Sequence, residues 1–159
     1  MNENEDLITL KVPAAAEYID LVRLTLYGLA VKIGFSYEEI EDMKVAVSEA
    51  CNNAVLHAYG DIRSHAALTG TLAEAPHIEV RFVKRYDALS IIVKDEGTSF
   101  DAAAAAKLAQ PVDGKTIDEL QAGGLGLYLM QALMDDVVVS SEMGTEVVLT
   151  KRLIRSGDH

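Results

Sequence analysis

Two apolar-alternating runs lie either side of a four-residue break and constrain this chain more than any other feature. From His77 to Lys84, Ile78, Val80 and Phe82 occupy one face. After Arg85-Tyr-Asp-Ala88, Leu89, Ile91 and Val93 repeat the pattern, with Ile92 on the opposite side. A period of two marks a half-buried strand, and two such runs joined by a short polar turn form an antiparallel hairpin. A hairpin that is apolar on one face must be covered, so the rest of the chain has to supply a second layer.

Helical segments that fit this need come first in the sequence. Leu7 to Val12 reads as a strand that ends at Pro13. Glu17 to Ile33 then carries Tyr18, Val22, Leu26, Leu29 and Ile33 at helical spacing, with Gly34 as a stop. Ser36-Tyr-Glu-Glu39 has the form of a capping box and opens a second helix predicted to run to about Ala58. Its buried side is Ile40, Met43, Val47, Ala50, Ala54 and Ala58. Residues 60–76 read as a loop with room for a short helical turn. The long segment from Gly97 to Ala122 contains Ala102–Ala106, enough for one or two helical turns, together with Pro111 and Gly114. A connection of that length inside a compact domain is usually functional. Gly126 to Met134 is predicted as a helix, and Val137–Ser140 and Glu146–Leu153 as strands joined through Glu142-Met-Gly-Thr145. The expected fold is a single α/β (α+β) two-layer sandwich over residues 1–159, with helices on one face of an antiparallel or mixed sheet.

Composition removes several functions. The 159 residues are half apolar, enough for one core. One cysteine, Cys51, rules out an internal disulfide. A net charge of −11 opposes direct nucleic-acid binding, which needs basic surface to displace counterions. No apolar run reaches the length of a membrane span, and the acidic Met-Asn-Glu-Asn-Glu-Asp start is unlike a signal peptide. The expectation is a cytoplasmic protein with no membrane contact.

Three segments carry chemistry. Glu49, Asn53 and His57 recur every four residues and share one helix face. A carboxylate there can accept a proton from an attacking hydroxyl, and an amide oxygen can ligate Mg²⁺ without adding charge. Asp95-Glu-Gly97 follows a strand. A carboxylate at that point can accept a hydrogen bond from the exocyclic amine of adenine, whereas guanine presents an acceptor at the same edge. Gly97 lets the backbone pass close to a flat base. Gly123-Gly-Leu-Gly126 is read as opening a helix, where free N–H groups can meet phosphates. Each segment also has a plainer reading: a solvated polar stripe, an Asp-Gly turn and a hinge. No Lys-Ser/Thr follows the glycines, which excludes a Walker P-loop, and no strand directly precedes them, which disfavours a dinucleotide fold. Cys51 reads as buried and inert, and His65 and His77 lack metal-ligand spacing.

In this order, the three segments resemble the N, G1 and G2 boxes of the GHKL ATPases, which share the Bergerat fold. Val45-Ala-Val-Ser-Glu-Ala-Cys-Asn-Asn-Ala-Val55 is similar to the N box of a small branch, the anti-sigma-factor serine kinases of Gram-positive bacteria. The likeness runs from Lys11-Val-Pro13 to Leu149-Thr-Lys151. Glu38-Glu-Ile-Glu-Asp, Gly124-Leu-Gly-Leu-Tyr-Leu-Met130 and Met134-Asp-Asp-Val137 resemble the anti-sigma-B group within that branch. The resemblance implies Glu49 as general base, Asn53 as Mg²⁺ ligand, Asp95 as the adenine-binding carboxylate and Gly97 beside the base. It further implies Gly124, Leu125 and Gly126 as the phosphate-binding turn, Thr145 near adenine, and a mobile ATP lid at about 101–122. The implied activity is dual: sequestration of a sigma-B-like factor, and Mg-ATP-dependent phosphorylation of a serine or threonine on an anti-anti-sigma protein, by a homodimer. The alternative is a nucleotide-dependent anti-sigma module without kinase activity, to which Glu49 is an objection. A histidine-kinase fragment is disfavoured because no dimerisation helix with a phosphoacceptor histidine precedes the domain. Two departures stand out. Ser99 replaces the second glycine of the widespread Asp-x-Gly-x-Gly form, and Lys107 and Lys115 are the lid's only cations.

Overall fold

The computed structural model describes residues 5–69, 76–95, 117–140 and 145–154. Among these are strands β1 (Asp6–Pro13), β2 (His77–Lys84), β3 (Ala88–Asp95), β4 (Asp136–Ser140) and β5 (Glu146–Arg152), and helices α1 (Ala16–Ile33), α2 (Tyr37–Thr69) and α3 (Ile117–Leu133). The sheet order is β1-β2-β3-β5-β4, and every neighbouring pair is antiparallel. The antiparallel option left open by the sequence is therefore the one adopted.

The register puts the apolar sets into continuous rows. Ile8, Phe82, Ile91, Leu149 and Val137 align across all five strands, and Leu10, Val80, Val93, Val147 and Val139 form the row beside them. The next row begins with Val12, Ile78 and Asp95. Paired residues point to the same side of a sheet. The helices cover this side, with α1 against β2 and α2 against β2, β3 and β5. Phe82, Ile91 and Leu149 are fully buried there, and each contributes about 1.5–3 kcal/mol through the apolar surface removed from water. The helices contribute Ile19, Val22 and Leu26 from α1, and Met43, Val47 and Ala50 from α2.

The helix ends follow the sequence signals. Gly34 adopts φ 110° and closes α1, with its N–H donating to the Ala30 carbonyl. A side chain would strain that left-handed position, so glycine is the fitting stop. At the start of α2 the capping box is reciprocal: the Ser36 N–H donates to Glu39 Oε1 at 2.9 Å and the Glu39 N–H to Ser36 Oγ at 3.1 Å. Such a cap is worth about 1 kcal/mol.

Two boundaries differ from expectation. Helix α2 continues to Thr69 and takes in most of the predicted loop 60–76. The run Ile62-Arg-Ser-His-Ala-Ala-Leu68 contains neither glycine nor proline, so nothing local stops the helix at Ala58 or Gly60. Helix α3 begins at Ile117, nine residues before the predicted Gly126. Asp118 and Glu119 in its first turn favour the helix dipole, and Leu120, Gln121 and Ala122 are good helix formers. Together they carry the helix through Gly123, Gly124 and Gly126, although each glycine costs about 1 kcal/mol relative to alanine.

Candidate active site

Helix α2 presents its apolar side to the sheet and its polar stripe to α3. Met43, Val47, Ala50 and Ala54 are buried, whereas Glu49 and Asn53 are half-buried, one turn apart. They meet α3 at Gly126. A Cβ added to Gly126 would lie 3.0 Å from Glu49 Oε2 and 3.6 Å from Asn53 Nδ2. Glycine is therefore what lets α3 pass this close to both side chains. Glu49, Asn53 and Gly126 form one constellation, and two of the three sequence segments converge.

The same finding corrects the position read for the glycines. They do not open a helix. They lie inside α3, where backbone N–H groups are engaged in the i→i−4 ladder and not free at an N-terminus. Gly126 is buried and Leu125 is about half exposed. Gly124 lies in the same helix. What the sequence did not disclose is the contact between Gly126 and Glu49. The available signal was a glycine set among good helix formers, which often marks a close helix crossing.

The second cluster sits at the end of the sheet. Asp95 is the last residue of β3 and falls on the helix-covered face, in the row of Ile78 and Val12, so it is only 4% exposed. Thr145, just before β5, extends the ladder there. The Asp95 N–H donates to the Thr145 carbonyl at 3.2 Å, and the Thr145 N–H reaches Asp95 Oδ1 at 3.4 Å. Asp95 and Thr145 are 50 positions apart in sequence, and the β3–β5 pairing joins them. Gly97 and Ser99, and lid residues 101–116, lie outside the described residues. Residues 117–122 form the first turns of α3.

One further contact near Glu49 was not evident from the sequence. Arg23 of α1 donates from Nε to Ser48 Oγ at 2.7 Å, and the Ser48 hydroxyl donates to the Lys44 carbonyl at 2.7 Å. This chain ties α1 to the turn of α2 that carries Glu49. Cys51, three residues beyond Ser48, is fully buried, and burial raises its thiol from 9.0 to about 12, with the Arg23 charge opposing. It is inert, as the sequence suggested.

Among the described residues no group of three or more His, Cys, Asp or Glu side chains could hold a metal ion. The donor set at hand is one amide and one carboxylate. That suits a hard cation bound mainly through phosphate oxygens and water, and does not suit a closed protein cage. A buried carboxylate at a strand end suits a polar base edge.

Comparison with known proteins gives the family. Residues 12–151 match the histidine kinase-like ATPase domain family. The chain is 49% identical over 156 residues to the serine-protein kinase RsbW of Bacillus pumilus, covering 98% of this chain and 91% of that protein. It is 45% identical to the serine-protein kinase RsbW of Bacillus subtilis strain 168, covering 96% and 89%. Among solved structures, the RsbU and RsbW domains of Rv1364c from Mycobacterium tuberculosis superpose with a TM-score of 0.61 at 21% identity, over 94% of this chain and 33% of that one. The likeness in that case is one of fold.

Proposed function

The chain belongs to the histidine kinase-like ATPase family and, within it, to the RsbW serine-protein kinases, and from that premise we propose how its residues divide the work. The protein is an ATP-dependent serine-protein kinase. Glu49 takes the proton from the substrate hydroxyl as the hydroxyl oxygen attacks the γ-phosphorus. The bond from that phosphorus to the bridging oxygen breaks, and ADP leaves. The observation that supports this assignment is the close approach of Gly126 to Glu49 and Asn53, where an added Cβ would lie 3.0 Å from Glu49 Oε2 and displace it. A carboxylate fixed on a rigid helix keeps its geometry without help from a loop.

Asn53, one turn along, would hold Mg²⁺ through its amide oxygen. The ion, when bound, would neutralise charge on the phosphates. Asp95 accepts from the adenine amine, with Thr145 beside it. Gly97 lies next to the base. Gly124, Leu125 and Gly126 receive the phosphates. Because their N–H groups are engaged in α3, nucleotide binding then requires the first turns of α3 to open, together with the rest of a lid spanning about 101–122. The domain is single and works in the cytoplasm as a homodimer. Its substrate is an anti-anti-sigma protein, and its second partner is a sigma-B-like factor that it sequesters. Phosphate on the substrate adds about −1.5 to −2 charges, which favours release from a protein of net charge −11.

The rival, nucleotide-dependent sequestration without phosphorylation, gives no task to a carboxylate at position 49. Glu49→Gln decides between them. Glutamine keeps the shape and cannot take the proton, so phosphorylation falls by about 10² or more, while nucleotide binding and sigma capture persist. A radiolabelled ATP assay with the anti-anti-sigma protein and a sigma-factor pull-down, run on one preparation, provide both readings. Retained phosphorylation removes Glu49 as the base, and loss of both activities makes its role structural.

A further inference from the structure

Ser48 precedes Glu49 on α2 and sits about 100° from it around the helix, so the two side chains leave in different directions. Glu49 is directed to α3, where a Cβ added to Gly126 would lie 3.0 Å from its Oε2. Ser48 is directed to α1. Its Oγ accepts from Arg23 Nε at 2.7 Å and donates to the Lys44 carbonyl at 2.7 Å. Arg23 is itself held by an ion pair between Nη1 and Asp20 Oδ1, one turn back on α1. The turn of α2 that carries Glu49 is therefore fastened to α1 by a polar chain. The buried residues around it, Ala46, Val47, Ala50 and Cys51, are all small. Apolar burial holds a helix on a sheet but has no direction, so it restrains rotation about the helix axis weakly. Hydrogen bonds are directional, and those from a charged donor are the stronger ones.

We propose that Ser48, gripped by Arg23, is a positioning residue for phosphoryl transfer: it fixes the rotation of the Glu49 turn and so the place of the base. The inference rests on the serine-kinase reading above, with Glu49 as the base. A helix with its side chains is about 10–12 Å across, which puts a carboxylate roughly 5–6 Å from the axis. A rotation of about 10° then moves it about 1 Å, and a displacement of that size can cost about 10²-fold in rate. Gly126 presents no side chain to hold the carboxylate from the α3 side, which gives weight to the orientation of its own helix turn. The back-bond from Ser48 to the carbonyl four residues earlier keeps the hydroxyl against its own helix. The guanidinium then reaches the α2 backbone through that hydroxyl. Ser48 and Arg23 have no contact with the reacting atoms in this scheme, and both act through Glu49.

The test is a double-mutant cycle on the full chain, with radiolabelled ATP and the purified anti-anti-sigma protein. Ser48→Ala lowers kcat about 10-fold and leaves KM for ATP and for the protein substrate within about two-fold, the split expected when only transition-state alignment is lost. Ser48→Thr keeps the hydroxyl and recovers most of the rate. Arg23→Met keeps the length of the stem, removes the donor and gives the same split by an independent change, which covers the case of a poorly folded Ser48→Ala. In a Glu49→Gln background, where there is no base left to align, Ser48→Ala lowers kcat by less than about two-fold. A merely structural role would not produce that non-additivity. A further 10-fold loss in the Glu49→Gln background overturns the proposal, because Ser48 then acts independently of Glu49. Parental kcat in folded Ser48→Ala and Arg23→Met overturns it as well, as does a rise in KM with kcat retained, which would make the pair a binding contact. A Glu49→Gln protein that transfers phosphate at the parental rate removes the base itself, and the positioning role falls with it.

Discussion

At the residue scale, Asp95 shows how little room the site leaves for substitution. Its place on the helix-covered face buries it, and its oxygen already meets the Thr145 N–H. Only an acceptor serves toward an amine donor on the base. Asp95→Asn is expected to weaken ATP binding about 10-fold or more, the cost of turning a buried charge-assisted hydrogen bond into a neutral or mismatched one. It is also expected to narrow the preference for ATP over GTP, and calorimetry with both nucleotides measures this. Equal affinity of the parent for ATP and GTP would remove Asp95 from the base pocket. Asp95 was legible because it follows a run of strong strand formers. Its pairing with Thr145 was not, since residues fifty positions apart meet only once the strand order is known. Cys51 gives a second prediction, and its sign can be worked through. Burial raises its folded-state pKa from 9.0 to about 12, so the neutral thiol is favoured in the fold. The stability this provides is complete below about pH 9 and is lost as pH rises toward 12. Melting temperature is expected to fall over that window more steeply for the parent than for Cys51→Ala, and thiol reagents are expected to label Cys51 only after denaturation. Equal slopes in the two proteins would mean that the thiol stays protonated in both states.

The behaviour of whole elements depends on competition between local signals, and here the sequence was legible in part. The hairpin of β2 and β3, the stop at Gly34 and the reciprocal cap at Ser36 and Glu39 were all legible, because each is decided within a few residues. The length of α2 and the start of α3 were not. Both turn on whether a weak breaker outweighs a run of good helix formers, a balance of about 1 kcal/mol per glycine. In α3 the helix formers prevail, which places Gly126 inside a helix and close against Glu49. Gly126→Ala tests this with two effects of opposite sign. Alanine gains about 1 kcal/mol of helix propensity, while its Cβ would press on Glu49 Oε2 at 3.0 Å. The atom pressed upon is the end of a flexible side chain, so it moves at little energetic cost and the fold keeps the propensity gain. Thermal melting is expected to show equal or higher stability, and phosphoryl transfer is expected to drop about 10-fold or more, because a displaced base loses its alignment. A variant that melts higher and transfers phosphate at the parental rate would show that Glu49 does not need this close crossing.

For the molecule as a whole, the proposed exchange of partners is expected to depend on charge. Lysine and arginine number 14 against 25 acidic residues, and half of the chain is apolar. The described ion pairs lie at the surface: Lys44 with Glu41, Arg81 with Glu79, Arg152 with Asp136. Such pairs add little to stability, so the excess acid acts mainly as a long-range field. Under the proposed function, that field is expected to repel a product that has just gained a phosphate. The preference for the unphosphorylated substrate over the phosphorylated one should therefore contain a screened part. Between about 0.01 M and about 1 M salt the screening length shrinks from about 30 Å to about 3 Å. The ratio of the two dissociation constants is expected to fall several-fold over that range, mainly because the phosphorylated form binds better at high salt. The unphosphorylated form lacks the added charge, so its constant should move less. Titrating both forms at each salt concentration, with nucleotide fixed, separates the two contributions. A ratio independent of salt would place the whole discrimination in short-range contacts at the serine, and the net charge of −11 would then play no part in product release.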